Sequence, residues 1–369
     1  MESQGRRYDI DWLRVIAIGL LILYHTGIGF QPWGVLIGFI QNDKPLEYLW
    51  VPMSMMNIWR IPLLFFVSGM GVSFAMRKRS FKQLLAERSR RILLPFLFGI
   101  AAIVPLHLFL WQNYYNQDIN YTIQQSHLWF LGNIFSYVII LSPLFIYLRN
   151  NLYCRVNKIL RAIYSSPVGL VVVASFFVVE VLILKPDTYE TYASTLHGYF
   201  VGLLSFLFGF TFIISGSAFW DSVKRWRMLY LIVAVLLFIF RYILFDLQSP
   251  GYLRALESIL WIFAAFGYAY RYLNHASGLL SYLSKAAYPV YILHMLFLYL
   301  ASYFIMPAGI SPEFKCLIIT TFTFTSCMVV YEYVIRRVKI LRPVFGLKIE
   351  DYKHKNKQYG FTKRHKPAL

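Results

Sequence analysis

The sequence predicts an all-α polytopic membrane protein: a bundle of about ten transmembrane helices with both termini in the cytoplasm. Three observations carry that expectation. Hydrophobic residues make up 58% of the 369, and they recur in blocks of about 20, the length that crosses a hydrocarbon core. Only 14% of residues are charged, against about 25% in soluble domains. Basic residues gather in alternate loops instead of spreading evenly. A β-barrel would instead show short segments of alternating hydrophobicity.

The expected spans are 10–30, 49–76, 92–112, 128–148, 168–184, 196–215, 228–245, 253–272, 285–306 and 314–338. The first is the run DWLRVIAIGLLILYH. The second, containing RIPLLFFVSGMGVSF, is long enough to tilt or to break near Pro62. The third follows the basic loop AMRKRSFKQLLAERSRRILLP, and the fourth opens at HLWFL. The fifth and seventh carry Glu180 and Arg241 near mid-membrane, where the two could pair, and the eighth carries Glu257. The ninth holds KAAYPVYILH, where Pro289 loosens the helix. The tenth contains Cys327.

Loop charge sets the orientation. Arg6 and Arg7, the cluster from Arg77 to Arg91, Arg149 to Arg161, Lys224 to Arg227, Arg271 and the tail from Arg336 all fall on one side. The other side holds little beyond Lys44, Lys185 and Lys315. Positive residues mark the cytoplasm, which implies a multi-pass protein of the inner (plasma) membrane. The asymmetry accounts for most of the +19 net charge. The basic residues are dispersed, so nucleic acid is not the expected partner; the lipid bilayer is. The first apolar run is too long for a signal-peptide core. Residues 1–342 read as one membrane-embedded domain, and 343–369 as a basic cytosolic tail, disordered and drawn to anionic lipid. Cys154, Cys316 and Cys327 form neither a disulfide framework nor a zinc spacing.

Arg14 and His25 are the sharpest chemical pair. Their offset of eleven positions is about three helical turns, or about 16 Å along the axis. A ligand with a charged cytosolic end and a reactive end inside the membrane suits that separation. A buried imidazole rests neutral and can accept a proton, as a general base must. Arg14 can fork onto a phosphate; its bland role is a pair with Asp11 at i, i+3. Arg88 and Arg91 could clamp the same phosphorylated ligand. Arg60 is a further intramembrane cation. The outer segment NYYNQDINYTIQQSH has amides and rings but no basic residue, a surface suited to a neutral polyhydroxylated ligand. His127, Trp129, Glu180 and His294 are the candidate substrate-binding residues. No local spacing supports a metal site from His25, His107, His127 and His197, and none is expected.

These pieces resemble the acyltransferase 3 family of integral membrane acyltransferases. The matches are Arg14 and His25 separated by ten residues, FFVSG (Phe65 to Gly69), the R-x-x-R pair Arg88 and Arg91, and YPVYILH (Tyr288 to His294). The stretches DWLRVIAI, RIPLLFF, HLWFL and PVFGLK look most like the branch that contains the glucan biosynthesis protein C. The resemblance implies an O-acyltransferase moving an acyl group, acetyl or succinyl, from cytosolic acyl-CoA to a hydroxyl of a carbohydrate or glycoconjugate at the cell envelope. His25 and Arg60 would be catalytic, and Arg14, Arg88 and Arg91 would hold the CoA phosphates along one continuous polar passage. The rival readings are a transporter or flippase of an anionic or glycosylated substrate, and a membrane amino-sugar N-acetyltransferase. No convincing internal repeat supports transport.

Overall fold

A computed structural model describes residues 6–77 and 79–348. The expected all-α architecture is what it contains. The helices are α1 (Tyr8–Ile28), α2 (Trp50–Met76), α3 (Phe81–Tyr114), α4 (Trp129–Asn150), the short α5 (Arg155–Tyr164), α6 (Pro167–Leu184), α7 (Leu196–Ile214), α8 (Ser217–Phe245), α9 (Gly251–Tyr272), α10 (Gly278–Ile305), α11 (Pro312–Ile335) and the single turn α12 (Leu341–Val344). Among the described residues, nine are long and apolar enough to cross a membrane. The remaining expected span, the eighth, exists as α9, but it is the polar one. It carries Arg254, Glu257 and Arg271, and it packs against α1, α2, α6 and α8 inside the bundle.

Two expectations about helix ends change. Helix α3 starts at Phe81, so the basic loop before the third span is itself helical and runs straight into the membrane segment. Its backbone widens into π-turns at Ser89–Leu93 and Gly99–Ile103. Helix α8 likewise starts at Ser217, well before the expected 228.

Helix α2 does not break at Pro62. A proline removes the hydrogen bond to the carbonyl four residues back. That carbonyl, Ile58 O, accepts instead from the hydroxyls of Tyr192 at 3.0 Å and Ser258 at 2.7 Å. Pro105 in α3 is compensated in the same way: the Tyr121 hydroxyl donates to Ala101 O at 2.8 Å. In a bilayer no water fills such gaps, so side chains from neighbouring segments must.

Close packing holds the helices together, since lipid tails are as apolar as leucine. Gly69 of α2 lies against the Phe206 carbonyl of α7, and Gly209 of α7 against the Phe66 carbonyl; a Cβ at either position would collide. The buried charges pair locally. Glu180 does not meet Arg241, as the span order suggested. Glu180 is hydrogen-bonded to His197 Nδ1 at 2.9 Å, and Arg241 pairs with Glu257 at 2.8 Å. Each partner comes from the helix next in the chain, α6 with α7 and α8 with α9. Arg254 pairs with Glu190 at 2.7 Å.

Residues 343–348 pack onto the bundle: Phe345 is buried, its ring 5.5 Å from Phe98. The rest of the expected basic tail, 349–369, lies outside the described residues.

Candidate active site

Two features lie along the face where α1, α2, α3 and α10 meet. The first is a cavity of about 810 Å³ at one end of the bundle. Arg14, Arg88 and Arg91, the three expected phosphate ligands, all line it. So do Arg6, Arg7, Arg77, Lys285 and Lys348, with Asp11 as the counter-charge. Part of this charge is already neutralised. Arg6 pairs with Asp11 at 2.8 Å, Arg14 approaches the same carboxylate at 3.4 Å, and Arg91 pairs with Glu87 at 3.2 Å. Arg7 donates to Asp9 and lies 3.7 Å over the Trp220 ring. Arg88 donates to the Gly71 carbonyl at 3.2 Å, with the Glu87 carboxylate within electrostatic reach. Beyond the end of α2, partial burial and the neighbouring Arg7 charge lower the Arg77 pKa. A bound anion would relieve that crowding. The π-turn at Ser89–Leu93 separates Arg88 from Arg91 and leaves both on the cavity wall.

The second feature is a chain of four histidines, drawn from α1, α3, α10 and the segment before α4. His25 Nδ1 lies 2.9 Å from His294 Nε2, with the rings stacked at 5.1 Å. The His127 ring sits edge-on to His294 at 5.1 Å, and His107 lies 5.7 Å beyond it. His127 Nε2 is 3.1 Å from Ile292 O. Among the described residues, no group of three His, Cys, Asp or Glu is placed to hold a metal ion.

The hydrogen bonds assign the protons. His294 Nδ1 lies 2.6 Å from the Tyr291 carbonyl, which can only accept. Neutral His294 therefore carries its proton on Nδ1 and presents a bare Nε2. His25 Nδ1 must then be the donor in the pair, which leaves the His25 Nε2 lone pair free. That atom has no hydrogen-bond partner among the described residues, and His25 is only half-buried while His294 is fully buried. A positioned imidazole with an available lone pair is a general base.

Arg60 is fully buried on α2. It donates to Leu20 O at 3.2 Å and lies 4.3 Å over the Tyr24 ring, beside His25 in the chain. No carboxylate among the described residues pairs with it. A roof formed by residues 29–49 covers this end: Phe39 is 5.8 Å from the His25 ring, and the Tyr299 hydroxyl donates to Gly38 O.

The remaining candidates divide. His127 joins the histidine chain. Trp129 is buried against Phe65, at 6.0 Å, and touches neither the cavity nor the histidines through any described ring or hydrogen bond. Glu180 is buried on α6 and committed to His197.

Among the described residues, none of the four histidines lines the cavity. The cavity ends on Ile18, Leu64, Phe130 and Tyr291, and His25 is not part of its wall. Tyr291 is the partition. It faces the cavity, its ring is 5.9 Å from His294, and its hydroxyl donates to His127 O. Lys285, Tyr288, Tyr291 and His294 recur every three residues and form an inclined stripe on α10 from the cations to His25, about 14 Å long. That K-x-x-Y-x-x-Y-x-x-H spacing is the signal by which sequence reasoning could have found the two tyrosines and Lys285.

Residues 7–332 match a family model described as an acyltransferase domain. No curated protein and no solved structure matches the chain.

Proposed function

The chain belongs to the acyltransferase 3 family and is a membrane acyltransferase; on that premise we propose that it transfers an acyl group from cytosolic acyl-CoA to a hydroxyl of an envelope carbohydrate or glycoconjugate. One observation carries the reading: the hydrogen bonds through His294 leave His25 Nε2 as a free base at the far end of a stripe that begins among eight cations.

Arg14, Arg88 and Arg91 take the CoA phosphates at the cavity mouth. The pantetheine arm runs inward beside α1 and α10. The acceptor hydroxyl approaches from the opposite side, past the exposed segment 116–125 that leads into Ser126 and His127. His25 Nε2 removes the hydroxyl proton as the oxygen attacks the thioester carbonyl. The tetrahedral intermediate collapses with loss of the CoA thiolate, and the imidazolium returns its proton to that sulfur. The ester and free CoA are the products. His294, accepting from His25 Nδ1–H, stabilises the transient imidazolium. The unneutralised charge of Arg60 favours the developing oxyanion through its field. Tyr291 must turn aside for the thioester to reach His25.

This reading keeps the cation-lined end cytosolic, in the inner membrane. Within the family, the glucan biosynthesis protein C branch and a succinyl or acetyl donor are the assignments we favour. The test is transfer in lipid nanodiscs from labelled acetyl-CoA or succinyl-CoA to neutral glucan oligosaccharides, followed by mass spectrometry of the ester. His25→Ala should abolish transfer without changing yield. Full turnover in that variant would remove His25 from the chemistry. Transport of a glycan in proteoliposomes lacking acyl-CoA would replace this reading with the transporter one.

A further inference from the structure

The family match ends at residue 332, yet the wall of the cation-lined cavity continues beyond it. Gly346, Leu347 and Lys348 line the cavity together with Tyr288. After α11 the chain folds back through α12. Leu347 N donates to Arg342 O at 2.8 Å and Gly346 N to Pro343 O at 3.0 Å, while Phe345 anchors the turn against Phe98 of α3. Gly346 has φ +71°, a left-handed conformation open to glycine without steric cost. A Cβ there would stand 2.6 Å from Cδ1 and Cε1 of Tyr288, and 3.2 Å from the Arg91 carbonyl. The turn thus seats its glycine directly on the Tyr288 ring.

The tyrosine so held has a buried hydroxyl with no hydrogen-bond partner among the described residues. It lies within electrostatic reach of Arg91 and Arg88. Buried hydroxyls are normally satisfied. Tyr288 stands on the wall of a cavity that carries eight cations against one carboxylate, Asp11, so the partner its hydroxyl lacks is best supplied by an anionic oxygen entering there.

We propose that the 341–348 turn is a built part of the donor site: it fixes Tyr288 so that its hydroxyl donates to a phosphate oxygen of the CoA-type donor beside Arg88 and Arg91. This inference rests on the donor reading above. The turn supplies the orientation, the hydroxyl the bond.

The test uses the full chain in nanodiscs, with CoA binding measured by calorimetry for the wild type, Tyr288→Phe and Gly346→Ala. Tyr288→Phe keeps the ring that packs on Gly346 and removes only the oxygen, so its melting temperature should match the wild type. CoA should bind about 10- to 150-fold more weakly, the loss expected for one hydrogen bond to a charged group. Gly346→Ala should weaken CoA comparably by displacing the ring. The loss in Tyr288→Phe should persist with adenosine 3′,5′-bisphosphate, which has phosphates and no pantetheine. Wild-type affinity in Tyr288→Phe overturns the proposal, and so does a loss confined to whole CoA, which would place the hydroxyl on the arm. A wild type that binds no CoA sinks the donor reading itself, a result distinct from either.

Discussion

The hydrogen bond between His25 and His294 makes a demanding prediction. Replacing His294 with phenylalanine keeps a planar ring in the buried position but removes the acceptor. His25 Nδ1–H, now 2.9 Å from its partner, would be left without one in a site closed over by Phe39. Losing the partner of a buried polar group costs about 1–3 kcal/mol. If that loss falls wholly on the transition state, turnover drops about 5- to 150-fold. A further loss follows if the freed ring takes the other tautomer, because its lone pair then faces the wrong side. The effect should appear in kcat, with the KM for acyl-CoA unchanged, because the cations lie at the other end of the stripe. His294→Gln offers a side-chain carbonyl as acceptor and should recover part of the loss. The assay is release of free thiol from acyl-CoA, run with and without acceptor. His294→Phe turning over at the wild-type rate would refute the tautomer argument. Equal losses in the phenylalanine and glutamine variants, with a fall in melting temperature, would reduce His294 to a packing residue.

Four other outcomes follow from the geometry. Arg88→Ala should raise the Kd for CoA, and added salt should shrink the difference from wild type, since a phosphate contact is electrostatic; a salt-independent defect would point to packing instead. Gly69→Ala must push α2 off the Phe206 carbonyl of α7, at about 1–3 kcal/mol for overpacking, read as a lower melting temperature in detergent. Glu257→Gln leaves Arg241 buried and uncompensated, at about 3–5 kcal/mol, and the double change with Arg241→Met should be the more stable of the two; the reverse order would contradict the pairing. Glu180→Gln should lower stability through His197 while leaving the KM for acceptor unchanged, and a raised KM would return Glu180 to the substrate path.

The sequence by itself determined the class of the protein. Blocks of apolar residues need a hydrocarbon environment wherever they fold, and the arginines of alternate loops mark the segments between them. It also brought Arg14, Arg88 and Arg91 to one end, because each sits within a turn or two of a span boundary. The Arg14–His25 offset was legible for the same reason: helical rise alone sets it. Partnership was not legible. Glu180 and Arg241 look alike as lone charges in apolar runs, and which carboxylate meets which cation depends on the helices that happen to touch. Tyr288 and Tyr291 read as ordinary residues of a proline-loosened span, and His294 as a candidate substrate ligand, until α10 is laid against α1, when His294 bonds His25 and Tyr291 lines the cavity. The closing turn looked like the start of a tail, since nothing local requires Phe345 or Gly346 to find α3 and α10. Local rules fix where a side chain stands along its own helix; contact between helices far apart in the chain decides what stands opposite it, and only packing in three dimensions makes that choice.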